Sequence, residues 1–77
     1  MVWKEQNNKL VNEFKFDDFK QALAFTNKVG EIAEKHQHHP DIYIHSYNQV
    51  KISLTTHDES NQVTEKDYNL SKEIDKI

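Results

Sequence analysis

The residues best suited to chemistry lie in one short run, Glu34-Lys35-His36-Gln37-His38-His39-Pro40, which holds three of the five histidines and the only proline. Imidazole takes and gives protons near neutral pH, so such a cluster beside a rigid turn points to acid/base work. A fourth candidate, His57, stands at the end of a strand-like run, where backbone leaves a sheet and loops begin. His38, His39 and His57 together suit a small heterocyclic or carbonyl substrate, with each acid or base group contributing roughly 10²–10⁴-fold.

A metal site is the competing use of the same side chains. It would take His36 and His38, or His38 and His39, with His57 and Glu34. Adjacent histidines at a helix end point apart, and no second cluster shows a usual ligand interval. His36 and His45 fit an exposed, idle role better than the other three.

Composition narrows the partners. The ten basic residues are all lysine against thirteen acidic ones, for a formal charge of −3. Without arginine, a phosphate-gripping surface and direct nucleic-acid contact are not expected. There is no cysteine, which removes disulfides and thiolate metal sites together. No apolar run approaches the roughly 20 residues of a membrane span, and Met1-Val2-Trp3-Lys4 does not open a signal peptide, so a cytoplasmic location is expected. At 77 residues the chain reads as one domain, 1–77, small enough that a homodimer or homotetramer is expected to add burial.

The elements that must position the histidines follow from the patterning. Trp3–Gln6 and Leu10–Phe16 alternate apolar with polar residues around Asn7-Asn8-Lys9, predicting a hairpin. Asp17 or Asp18 is a plausible N-cap for a long helix in which Phe19, Leu23, Val29, Ile32 and Ala33 recur at helical steps, stopped near Pro40. Gly30 inside it marks either a close backbone approach or a tolerated helical glycine. Ile42 and Ile44 face one way and Tyr43, His45 and Tyr47 the other, the tyrosines serving as sheet packing. Ser46-Tyr47-Asn48-Gln49 turns the chain into Val50, Ile52 and Leu54. Thr64-Glu65-Lys66-Asp67 then reads as a capping box opening a last helix with the stripe Leu70, Ile74 and Ile77. The order β-β-α-β-β-α predicts an α+β two-layer sandwich, a four-stranded antiparallel sheet with both helices on one face.

Glu34, His38-His39-Pro40, Tyr47, His57 with nine residues between it and that tyrosine, and Asp67 resemble the signature of the pterin-4a-carbinolamine dehydratases. Trp3, Phe14-Lys15-Phe16, Asp18-Phe19, Ala22, Phe25 and Leu54-Thr55-Thr56-His57-Asp58 extend the likeness over nearly the whole chain. The resemblance implies a hydro-lyase that removes water from a 4a-hydroxytetrahydropterin to give quinonoid dihydropterin in tetrahydrobiopterin recycling, with no metal or organic cofactor. It implies a pterin site on His38, His39, Pro40, Thr56, His57, Asp58 and Glu59, with Glu34, Tyr47 and Asp67 in support. Capping alone also accounts for Asp67, and the residues favour that structural role. Related functions implied by the likeness are a dimerisation cofactor for a transcription factor and a protein of molybdopterin metabolism. Two features depart from the family. Val2 stands where a glycine usually precedes the tryptophan, and the N-terminal helix that longer members carry is expected to be absent. Six residues separate Pro40 from Tyr47 where vertebrate members have five, which predicts a bulge or longer loop within 41–46.

Overall fold

A computed structural model describes residues 3–56 and 61–77. The candidate residues His57, Asp58 and Glu59 fall outside that set. The elements are β1 (Lys4–Gln6), β2 (Lys9–Lys15), α1 (Phe19–His36), β3 (Asp41–His45), β4 (Gln49–Leu54) and α2 (Glu65–Ile74). The four strands form one antiparallel sheet in the order β1-β2-β4-β3, and the expected α+β architecture is present.

Local chemistry sets each boundary. Asn7 and Asn8, at φ 50° and 64°, link Gln6 to its partner Lys9 in a two-residue turn of left-handed residues, the geometry that suits the twist of a hairpin. Asp18 caps α1 by accepting from the Gln21 amide at 2.8 Å. Thr64 caps α2 in a full capping box with Asp67. Trp3 Nε1 donates to Asp75 Oδ1 at 3.0 Å, fastening the approach to β1 onto the end of α2.

The core lies between the sheet and the helices. Leu10, Phe14, Val50, Ile52 and Leu54 meet Ala22, Phe25, Val29, Leu70 and Ile74, all buried. Phe14 and Phe25 pack with ring centres 4.7 Å apart. The buried face of α1 is Ala22, Phe25, Val29 and Ala33, so the expected inward positions Phe19 and Leu23 are wrong. They are 49% and 41% exposed, because the sheet meets the row one residue out of step with them. Ile77 is likewise exposed, beyond the end of α2. Tyr43 and Tyr47 do not pack into the core: both are exposed, Tyr43 stacked on His45 with ring centres 5.1 Å apart.

Of the bulge or longer loop expected within 41–46, the strand shows no bulge: β3 pairs with β4 in unbroken register from Asp41↔Ser53 to His45↔Gln49, and Ser46 and Tyr47, at φ 51° and 55°, form the hairpin loop. One further expectation is corrected: the helix ends before proline acts. Gln37 takes a left-handed conformation (φ 51°, ψ 41°), its N–H donates to Glu34 O at 3.2 Å, and the His38 N–H donates to Ala33 O at 3.1 Å. That 6→1 and 5→2 pair is a Schellman motif.

Gly30 approaches nothing, since a Cβ built there meets no atom within 4 Å. Of its two readings the tolerated helical glycine holds within this chain. Gly30→Ala is therefore expected to stabilise the fold by about 1 kcal/mol, visible as a higher urea midpoint at unchanged slope.

Candidate active site

The sheet order decides what converges. β2 and β3 are each antiparallel to β4, hence parallel to one another, joined by α1 with β4 inserted between them. The chain therefore enters β3 beside the point where it leaves β4, as the pair Asp41↔Ser53 shows. Residues 38–40, just before β3, are thus brought to Thr55 and Thr56, just after β4. A bridge between Thr56 and Gln62, with the Thr56 N–H donating to Gln62 O at 2.9 Å, brings in the start of α2.

Asp67 is the centre of this junction. Its side chain is fully buried and accepts three hydrogen bonds. Oδ1 takes His38 Nε2 at 2.5 Å, while Oδ2 takes the Thr56 hydroxyl at 2.9 Å and the Thr64 backbone N–H at 2.9 Å. Thr64 Oγ1 lies 2.7 Å from Thr56 Oγ1. A carboxylate can only accept, so the hydrogen on His38 Nε2 is assigned to that bond. In the neutral ring the lone pair then sits on Nδ1. The same side chain closes the cap of α2 through Oδ2 and holds His38 through Oδ1.

His39 points elsewhere. Its Nε2–H donates to Glu34 Oε2, one helical turn back, and both side chains are more than half exposed. His38 is 11% exposed at the side chain. Two neighbouring imidazoles thus each have a carboxylate partner, one buried and one in water. The Schellman turn at Gln37 produces this divergence by lifting His38 back over α1 toward α2. Pro40 follows, partly buried, at the entry to β3.

The other candidates are distributed differently. Thr56 is 2% exposed, its hydroxyl engaged as described. Tyr47 lies in the loop at the opposite end of the β3–β4 hairpin, a strand length of about 3.3 Å per residue from Pro40, and this chain does not bring it to His38. His36 is exposed on α1. His45, expected to be idle, has a partner in Glu13, with Nε2 to Oε1 at 3.0 Å on the outer sheet face. Among the described residues, no group of three or more His, Asp or Glu is placed to hold a metal ion, and no helix is long and apolar enough to cross a membrane. Thr64 is the site residue that sequence reasoning missed. Its signal was the Thr-x-x-Asp box, read there only as a helix start.

Comparisons with known proteins bear on the family and the fold. The family model described as Pterin 4 alpha carbinolamine dehydratase matches residues 1–77. A protein of Sulfolobus acidocaldarius is 45% identical over 75 residues, 97% of this chain and 80% of its own length. One of Trichormus variabilis is 48% identical over 75 residues, 97% and 78% respectively. Both are provisionally named pterin-4-alpha-carbinolamine dehydratases. A crystal structure from Brucella melitensis, titled a transcriptional coactivator/pterin dehydratase, superposes with TM-score 0.86 at 35% identity, over 95% of this chain and 78% of its own. A pterin dehydratase-like RuBisCO assembly factor of the alpha-carboxysome shares the fold, with TM-score 0.79 at 23% identity, over 97% and 87%.

Proposed function

This chain belongs to the pterin-4α-carbinolamine dehydratase family of hydro-lyases, and we propose that it dehydrates a 4a-hydroxytetrahydropterin with its histidines as acid and base. The observation that carries the reading is the His38–Asp67 pair, an imidazole held through Nε2 by a buried carboxylate. Such a ring presents Nδ1 as a base of fixed direction, and the carboxylate stabilises the imidazolium once a proton arrives.

Dehydration needs both a base and an acid. The C4a–O bond breaks as the oxygen takes a proton and leaves as water. The N5–H proton departs and the N5 pair forms the N5=C4a double bond. His38 Nδ1 accepts the N5 proton in this proposal, and His57 protonates the leaving oxygen. The residue before His57 shares Asp67 with His38, which supports bringing both histidines to one ring. His39 positions the ring or serves as the alternate proton carrier, with Glu34 orienting its imidazole. Pro40 and the residues that follow Thr56, His57 to Glu59, line the pterin site. The reaction serves tetrahydrobiopterin recycling in the cytoplasm. The exposed Phe19 and Leu23 on α1 favour a working homodimer or homotetramer that covers them.

The test is a stopped-flow assay on freshly generated 4a-hydroxytetrahydropterin, with formation of the quinonoid product followed by absorbance. Saturable acceleration over the buffer rate is expected. A rate equal to buffer with folded protein would sink the proposal and favour a protein-binding role, of the kind in the titles of the two structural neighbours.

A further inference from the structure

We infer that Thr56 is a positioning residue for His38, acting through Asp67, rather than a contact for the substrate. This deepens the acid/base reading above and rests on it for its kinetic consequence, though not for its structural one.

The hydrogen inventory carries the inference. Asp67 Oδ2 accepts from a backbone N–H, which can only donate, and from the Thr56 hydroxyl. The one hydrogen of Thr56 is committed to the carboxylate, so the Thr64 hydroxyl, 2.7 Å away, donates into Thr56 Oγ1. Its own oxygen remains an acceptor for the Lys66 N–H at 3.3 Å. The result is a directed chain, Thr64 to Thr56 to Asp67, in which each hydroxyl donates once and accepts at least once. At 2% exposure, Thr56 has no hydroxyl face left for a ligand.

The chain has a mechanical consequence. Thr56 is tied to β4 on one side and to the first turn of α2 on the other, so it fixes the rotation of the Asp67 carboxylate between them. That rotation aims Oδ1 at His38 Nε2. A carboxylate free to turn would let the ring exchange tautomers, and a hydrogen on Nδ1 removes the lone pair needed for N5. Thr56 thereby joins the cap of α2 to the protonation pattern of the imidazole.

The experiment pairs ¹⁵N-histidine NMR with steady-state kinetics on wild type, Thr56→Val, which keeps the shape and deletes the hydroxyl, and Thr56→Ser, which keeps the hydroxyl. Wild-type His38 is expected as the Nε2–H tautomer. Thr56→Val should show mixed tautomers and a kcat lowered about 10-fold or more with KM within two-fold, and Thr56→Ser should restore both. A wild-type Nδ1–H tautomer overturns the inference. So does a valine variant with unchanged tautomer, whether its kinetics are unchanged or only its KM rises, the latter marking Thr56 as a substrate contact. Should Thr56→Val fail to fold, the wild-type spectrum and Thr56→Ala decide the matter by the same criteria. If wild type proves inactive while the tautomer still responds to the hydroxyl, the functional reading falls and the positioning role stands.

Discussion

Asp67→Asn is expected to lower kcat by about 10²–10⁴-fold, the full contribution of a general base, while the protein stays folded. The carboxamide has one acceptor oxygen where the carboxylate had two. The Thr64 N–H can only donate, so the oxygen turns to it and the amide nitrogen faces His38. His38 Nε2 must then accept, which in the neutral ring moves its hydrogen to Nδ1 and abolishes the base. Asp67→Ala is the harsher change. It strands the imidazole, the Thr56 hydroxyl and the Thr64 N–H, and removing one partner of a buried pair costs about 3–5 kcal/mol. Against a total of roughly 5–15 kcal/mol for a domain, that is a large share of the stability. Urea titration followed by circular dichroism separates the two variants: a modest shift for asparagine, a large one for alanine. Turnover of Asp67→Asn within two-fold of wild type would show that the carboxylate merely caps α2.

His38→Ala should match Asp67→Asn in rate, again about 10²–10⁴-fold, because the two side chains act as a unit. The double variant is expected to be no slower than His38→Ala alone, since removing the support of a missing base changes nothing further. Additive losses would mean that Asp67 acts independently of His38. His57→Ala should also lose at least ten-fold if it supplies the acid, whereas His39→Ala, whose ring is paired with Glu34 in solvent, should lose less. Unchanged rates in both His38→Ala and His57→Ala would refute the acid/base assignment.

The alternating runs around Asn7-Asn8 and Val50–Leu54, and the Thr64 capping box, made the elements and their order legible before any coordinates. A period of two and a pair of capping residues are local properties. The facing of α1 was less legible, because Phe19 and Leu23 satisfy helical spacing as well as Ala22 and Phe25 do. Which row turns inward depends on where the sheet lies, and that is a non-local fact. The end of α1 was misattributed for a related reason: proline is conspicuous, whereas a left-handed glutamine has no marker in the sequence.

The site divides in the same way. His38 and His39 were named from their types and spacing, and no fold was needed to see that imidazoles could move protons, whereas Asp67 read as a helix cap and entered the site only through the family resemblance. The pairing was not visible, since His38 and Asp67 lie 29 positions apart and nothing in either neighbourhood selects the other. Insertion of β4 between β2 and β3 brings the entry to β3 beside the exit from β4. The Schellman turn then aims His38 at α2 and leaves His39 to Glu34. Residue chemistry was thus written in the chain. Which histidine received the buried carboxylate was decided by strand order and one backbone turn, because hydrogen bonds are directional and only the assembled fold sets direction.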